Sequence, residues 1–166
     1  LASEIDVENR RIAAKKKVVN QAIALFGAET AAGKAALIAK QLLNAQELTG
    51  TSISVRGSSF LSTGQTGEPV HGDSSPPTNS VWWRWIPSIS GLTVISTDGS
   101  GFDTTLGVYS GNTLNALETV GVNDDNDNAR TSEVQFQALA GNHYYIAVDG
   151  FEHSVGAISL TLNQSQ

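Results

Sequence analysis

The sequence predicts a mainly β protein, an antiparallel β-sandwich of jelly-roll type preceded by an N-terminal helical segment. Two observations lead to this prediction. After Gly50 the chain contains about eight short β-rich runs separated by clusters of Gly, Asn, Asp, Ser and Pro, a pattern typical of antiparallel sandwiches. Before Gly50 the apolar residues instead recur at helical spacing.

The distribution of charge supports a division into two parts. Residues 1–48 carry seven Lys and Arg against five acidic residues, whereas residues 49–166 carry three Arg against eleven acidic residues. This difference predicts a helical segment over residues 1–50 and a sandwich domain over residues 51–166. The acidic second part argues against a nucleic acid partner, because contacts to phosphate require Lys and Arg.

Two residue types are absent from the composition. Without cysteine, the chain has neither a disulfide framework nor a thiolate metal site. Methionine is also absent and the sequence begins with Leu1, so we expect a fragment, either a processed product or a piece cut from a longer protein. No apolar run is long enough to predict a membrane span.

The helical segment is predicted to begin at a Ser3 cap and to run to residue 48, with a break at Gly27. Its apolar residues form a stripe that predicts an assembly helix. The stripe runs through Ile5, Ile12, Val19 and Phe26 of the first helix and continues on one face of the second helix with Ile38 and Leu42. Two interpretations remain open: the stripe packs on the chain's own domain, or it oligomerises or docks on a protein partner through residues 1–48.

The predicted strands after Gly50 alternate between apolar and polar residues. Val134, Phe136 and Ala138 alternate with polar neighbours, which indicates one buried and one solvated face. The predicted strands are 52–56, 80–86, 92–97, 105–109, 117–122, 133–138, 143–149 and 157–162. Residues 61–79 have little periodicity and are predicted to form a long surface loop.

A run of Asp and Asn residues between two of these strands suggests a calcium site, because calcium prefers six to eight oxygen ligands. The candidate ligands are Asp103, Asn123, Asp124, Asp125 and Asp127. The alternative is a turn in which Asp and Asn side chains bond to their own backbone. Calcium is the only cofactor that the sequence suggests.

Three tryptophans occur in one predicted strand. Since side chains alternate along a strand, Trp83 and Trp85 are predicted to fill the core while Trp82 points the other way. Trp82 and Arg84 are candidate ligand-binding residues: Trp82 stacks on a sugar or a partner surface, or the Arg84 guanidinium covers it.

No catalytic constellation emerges from the sequence. His71, His143 and His153 lack metal-ligand spacing, and no Ser lies in a nucleophile-elbow sequence. Nothing selects a pair among the acidic residues of the second part for acid–base chemistry. We therefore predict that the protein is not an enzyme.

Residues 51–166 resemble the bacterial pre-peptidase C-terminal domain. The matching segments are GEPVH at 67–71, NSVWWRW at 79–85, SGLTVIST at 90–97, GSGFDTTLGVYSG at 99–111, NDD at 123–125, AGNHYYIAVDGF at 140–151 and GAISLTL at 156–162. The resemblance implies a jelly-roll-like module of secreted enzymes and surface proteins. It implies a role in adhesion, in substrate or matrix binding, or in secretion-linked spacing, and it implies no reaction. The partner expected for the sandwich is a polysaccharide or a cell-surface polymer.

The helical segment resembles helices of bacteriophage tail proteins, through FGAETAAGKAA at 26–36 and IAKQLLNAQEL at 38–48. This resemblance implies a structural module of the virion, in which the helices anchor an outward-facing sandwich. The alternatives are the C-terminal substrate- or matrix-binding domain of a secreted bacterial enzyme and a free-standing carbohydrate-binding module. These hypotheses share an extracellular or virion-surface location.

Overall fold

A computed structural model describes residues 10–11, 13–21, 44–65, 67–72, 76–111, 117–127 and 129–166. Residues 10–11 and 13–21 are helical, as predicted, with Val18 65% exposed and Val19 half-buried. The other residues of the predicted assembly stripe lie outside the described residues: Ile5, Ile12, Phe26, Ile38 and Leu42. Within the described ranges, no helix combines the length and apolarity needed to span a membrane.

The described part of the chain after residue 44 forms two packed β-sheets. The strands are β1 (Gln46–Leu48), β2 (Ser52–Ser58), β3 (Val81–Trp85), β4 (Gly91–Ser96), β5 (Thr104–Ser110), β6 (Glu118–Asn123), β7 (Glu133–Ala138), β8 (Tyr144–Gly150) and β9 (Ala157–Ser165). One sheet has the order β1-β3-β8-β5-β6 and the other β2-β9-β4-β7. The two-sheet β-sandwich and most of the predicted strand positions are therefore confirmed.

Strand β1 corrects the sequence prediction. Residues 46–48 were predicted as the end of a helix, but they pair in parallel with Trp83–Trp85 of β3. Leu48 is only 3% exposed and lies in the core, while the Trp83 indole Nε1 donates to Gln46 Oε1 at 3.2 Å. Tertiary pairing thus overrides the helical preference of this Gln- and Leu-containing segment. The five-stranded sheet consequently includes a strand that precedes the predicted boundary at residue 51.

The main core lies between the two sheets. Trp83 and Trp85 of β3 are 1% and 0% exposed and pack among apolar residues of both sheets, including Ile146 and Leu160. Trp82 belongs to a second cluster with Tyr109 and Ala147. The alternation predicted for the three tryptophans is confirmed, because successive side chains of β3 leave the sheet on opposite faces.

The outer face of the five-stranded sheet is covered by the connection between β2 and β3. Glu68 and His71 of this connection are 8% and 2% exposed, so the prediction of a surface loop over 61–79 is wrong at these positions. Gly107 provides the space for the Tyr109 side chain, since a Cβ there would lie 2.4 Å from the hydroxyl oxygen of Tyr109. The connection is buried because its polar side chains find partners on the sheet, as described below.

Candidate functional site

Three aspartates converge at one end of the five-stranded sheet. Carboxylate oxygens of Asp103, Asp124 and Asp125 all lie within 4.8 Å of one another. Asp103 immediately precedes β5, and the other two immediately follow β6. Because β5 and β6 are antiparallel neighbours, the start of one and the end of the other meet at the same edge.

The loop that carries Asp124 and Asp125 is fastened by side-chain hydrogen bonds. Asn123 Nδ2 donates to the carbonyl of Asp125 at 3.0 Å, and Asn123 Oδ1 accepts from the Glu133 amide at 2.9 Å. The Ser132 hydroxyl bonds the carbonyl of Asp124 at 2.6 Å and that of Thr104 at 2.5 Å. The loop after β6 is therefore tied to the start of β5.

The structure thus brings together three of the five predicted calcium ligands. Asn123 uses its side chain on the loop backbone, as the alternative interpretation predicts for Asn and Asp in turns. Asp127 is exposed, adopts a left-handed backbone conformation with φ of 57°, and is not part of the group of three carboxylates.

The three carboxylates repel one another. Burial raises the pKa of the Asp103 carboxyl, and the negative charge of Asp125 raises it further against the opposing effect of Arg130. Asp103 Oδ1 is a buried oxygen with no hydrogen-bond donor among the described residues. Hard oxygen ligands and uncompensated negative charge are what a calcium ion requires, so the residues present fit that ion.

A buried polar cluster lies on the outer face of the same sheet. The Glu68 carboxylate accepts hydrogen bonds from the Gln65 amide at 2.6 Å and from the Ser80 hydroxyl at 2.6 Å. His71 Nε2 lies 3.4 Å from Glu68 Oε2, and His71 Nδ1 lies 2.8 Å from the Tyr109 hydroxyl. These bonds pair the Glu68 and His71 side chains, and they attach the connection to Tyr109 of β5.

Trp82, a predicted ligand-binding residue, packs within this cluster. Its ring is 5% exposed, with centroids 5.2 Å from His71 and 5.6 Å from Tyr109. Arg84, the other candidate, pairs with Glu47 of β1 at 3.2 Å. In this arrangement the Trp82 side chain is almost completely buried, and the Arg84 guanidinium is engaged with Glu47.

An open groove of about 720 Å³ lies beside Trp82. It is lined by the chain around Gln46, by residues of the connection that include Phe60, Leu61 and Gln65, and by the start of β3. None of the described residues that line it is charged or a histidine. This groove was not predicted from the sequence, although the apolar pair in the otherwise polar run SSFLST is a signal that could have indicated it.

The apolar pair Phe60 and Leu61 projects from a turn at the rim of the groove, 62% and 98% exposed. The Ser62 amide donates to the Ser59 carbonyl at 3.3 Å across the turn, and Ser59 is itself buried. The Ser59 amide bonds the Gly156 carbonyl at 3.0 Å, and the Ser62 hydroxyl bonds the Asn79 carbonyl at 2.6 Å. The turn is therefore fixed at both ends.

Comparison with known proteins gives structural similarity only. No protein-family model matches the sequence, and no curated protein matches it. The chain resembles the pre-peptidase C-terminal domain of collagenase from Bacillus anthracis, with 16% identity, a TM-score of 0.47 and coverage of 72% of this chain and 94% of that one. The resemblance predicted from the sequence motifs is thus found again in the structure.

The chain is also similar to PliG, a periplasmic inhibitor of g-type lysozyme. For the Aeromonas hydrophila protein the identity is 15%, the TM-score 0.44 and the coverage 71% of this chain and 91% of that one. For the Salmonella Typhimurium protein the identity is 9%, the TM-score 0.38 and the coverage 72% of this chain and 97% of that one. The fold is a two-sheet β-sandwich, similar to a domain of a Bacillus anthracis collagenase and to periplasmic lysozyme inhibitors.

Proposed function

We propose that this chain is a non-catalytic binding module, of the kind that holds a secreted bacterial enzyme on its substrate or matrix. The observation that carries the proposal is the fixed turn that presents Phe60 and Leu61 at the rim of a groove whose described lining is uncharged. Exposed apolar surface is unfavourable by about 25 cal/mol per Å², and burial against a ligand recovers that free energy.

The fixed geometry of the turn strengthens this interpretation. Because Ser59 and Ser62 are hydrogen-bonded to Gly156 and Asn79, the backbone that carries the two apolar side chains is held in place. A surface that is already held in its binding conformation loses little conformational entropy when a ligand binds. The turn is thus preorganised for contact.

The arrangement of ionisable groups supports binding rather than catalysis. General acid–base chemistry requires a titratable group within hydrogen-bond reach of the ligand. The described lining of the groove offers none, and the buried carboxylate of Glu68 is occupied by Gln65, Ser80 and His71.

Retention on insoluble polymers tests the proposal. The chain is incubated with cellulose, chitin, peptidoglycan and gelatin, and both the retained protein and any soluble products are measured. We expect retention on at least one polymer without product release. The double variant Phe60→Ser/Leu61→Ser should lose retention, whereas Leu139→Ser, which changes an exposed leucine outside the groove lining, should keep it.

These substitutions concern exposed side chains, so each should change the free energy of unfolding by less than about 0.5 kcal/mol. The proposed binding function would be contradicted if none of the four polymers retained the chain. It would also be contradicted if a polymer retained the double variant as well as it retained the wild type. Release of soluble products would contradict its non-catalytic character.

We also propose that Asp103, Asp124 and Asp125 bind calcium and thereby stabilise the loop after β6. The proximity of the three carboxylates and the buried Oδ1 of Asp103 support this. Calcium should raise the melting temperature of the wild-type protein relative to chelator. Asp124→Asn should abolish the increase, and Asp127→Asn should retain it because Asp127 lies outside the group of three.

The strand orders support a jelly-roll winding, which we infer for β2 to β9. Each connection in this range passes from one sheet to the other, except the one between β5 and β6, which pair within the same sheet. The virion hypothesis stays a prediction, since most of the helical stripe on which it depends lies outside the described residues.

A further inference from the structure

We propose that the groove beside Trp82 binds a neutral polysaccharide, with sugar rings resting on Phe60 and Leu61 and sugar hydroxyls bonded by Gln46 and Gln65. This inference rests on the proposed binding function and adds the site and the chemical class of its ligand. It depends on the lining chemistry of the groove, the orientation of two amide side chains and the strand register beside them.

The charge of the lining restricts the ligand. Asn44, Gln46 and Gln65 contribute amides and Ser58, Ser62 and Thr63 contribute hydroxyls, while no described lining residue is charged. Anionic glycans, nucleic acids and charged peptides would lose water without gaining a compensating charge. A ligand whose polar groups are neutral hydroxyls avoids that loss.

The two glutamines are oriented in complementary ways. Gln46 Oε1 accepts from the Trp83 indole at 3.2 Å, which leaves the Gln46 amide nitrogen to donate to a ligand. Gln65 Nε2 donates to the Thr63 hydroxyl at 3.2 Å, which leaves Gln65 Oε1 to accept. A sugar hydroxyl is both a donor and an acceptor, so it can satisfy an oriented donor and an oriented acceptor in one groove.

The apolar contacts complete this match. A pyranose ring presents aliphatic C–H groups on its faces, and Phe60 and Leu61 offer an exposed aromatic and aliphatic surface on the same rim. The ligand can therefore bury apolar area on one side while its hydroxyl groups reach the amides on the other.

The strand register argues against a polypeptide that adds a strand to β3 in the groove. A peptide that binds by strand addition needs a continuous free edge. Here β1 already pairs with Trp83, Arg84 and Trp85, so only Val81 and Trp82 of β3 lack a partner from β1. Two residues are too few for a stable ladder.

Calorimetric titration of the whole chain tests the inference. The probes are cellohexaose, laminarihexaose, mannohexaose and chitohexaose, with an oligogalacturonate as the anionic comparison and an uncharged Gly/Ser/Leu peptide as the polypeptide comparison. We expect saturable binding of at least one neutral oligosaccharide. Phe60→Ala and Gln65→Ala should each raise its Kd about tenfold or more. The matched substitutions Leu139→Ala and Gln137→Ala, at exposed positions outside the groove lining, should leave the Kd within about twofold.

The outcomes separate this inference from the proposed function. If an insoluble polymer retains the chain but no neutral oligosaccharide binds, the ligand class is wrong and the binding function stands. Preferential binding of the oligogalacturonate or the peptide overturns the ligand class in the same way. If an oligosaccharide binds with equal affinity to the Phe60 and Gln65 variants, the site is wrong. If no polymer retains the chain and no probe binds to it, both proposals fail.

Discussion

The ring nitrogen Nδ1 of His71 lies 2.8 Å from the hydroxyl oxygen of Tyr109, and both side chains are almost completely buried. The Tyr109 hydroxyl donates its hydrogen to the Val70 carbonyl at 2.9 Å, so it accepts from His71. One hydroxyl group thus joins the connection between β2 and β3 to β5 of the five-stranded sheet.

Removal of that hydroxyl should weaken the protein measurably. Tyr109→Phe leaves His71 Nδ1 and the Val70 carbonyl without this partner, and a buried polar group without a hydrogen bond costs about 1–3 kcal/mol. Urea unfolding measures the change. Tyr145→Phe is the matched control, because its hydroxyl makes no hydrogen bond within the described part of the chain, and it should change stability far less. Equal effects of the two substitutions would contradict the role assigned to Tyr109.

Stability should decline at alkaline pH. Burial, and then the negative charge of Glu68, raise the pKa of Tyr109 above its ordinary value of 10.0. The unfolded chain therefore releases this proton near its ordinary pKa while the folded protein retains it. The resulting stabilisation is complete below about pH 10 and is lost as the pH rises further.

This decline is measured as the free energy of unfolding by urea between about pH 8 and pH 11. Burial also raises the pKa of Tyr145, against the opposing charge of Arg84, so part of the slope should persist in Tyr109→Phe. The variant should nevertheless show a shallower decline than the wild type. If the free energy of unfolding declined with pH at the same rate in both proteins, Tyr109 would not contribute to the alkaline loss of stability.

Calcium-free protein should become more stable when Asp103 loses its charge. Burial and the charge of Asp125 raise the pKa of Asp103, so its ionised form is disfavoured in the folded state. As the pH rises through that pKa, stability falls. Asp103→Asn should therefore raise the melting temperature in chelator and remove the response to added calcium.

Scanning calorimetry with calcium and with chelator measures both effects of Asp103→Asn. A higher melting temperature in chelator, together with loss of the calcium response, distinguishes a ligand from a residue that merely supports the loop. Loss of a supporting residue would lower the melting temperature in both conditions. A variant that still responds to calcium like the wild type would exclude Asp103 as a ligand.

Strand β1 should contribute to the stability of the sandwich. Leu48→Ala removes a core side chain and should cost about 2–5 kcal/mol. Glu47→Ala removes only the exposed partner of Arg84 and should cost at most about 1 kcal/mol. Denaturant unfolding compares the two. If Leu48→Ala were as mild as Glu47→Ala, β1 would not be part of the folded unit.

Much of the sandwich could be predicted because its signals are local. Alternation such as Val134, Phe136 and Ala138 reports a half-buried strand directly, and the opposite orientation of Trp82 and Trp83 follows from the strand period alone. Residues 46–48 were predicted wrongly for the converse reason. Their helical preference is local, whereas their pairing with β3 depends on residues 37 positions away.

The candidate sites also divide into features that local sequence indicates and features that depend on distant residues. The run of Asp and Asn after β6 indicated oxygen ligands, but composition could not separate Asp124 and Asp125, which meet Asp103, from Asn123, which holds the loop. The groove was missed because its lining comes from three separate parts of the chain. Only the folded arrangement brings Gln46, Phe60 and Trp82 together in the lining of one groove.

The sequence by itself determined the β-sandwich, the burial of Trp83 and Trp85, and the position of the acidic loop, because periodicity and turn chemistry are properties of neighbouring residues. The tertiary structure alone decided that β1 joins the sheet, that Glu68 and His71 are buried, and that Phe60 and Leu61 remain exposed at the rim of a groove. These features depend on which distant residues satisfy each polar group and cover each apolar one. Such partners are determined by the packing of the whole chain.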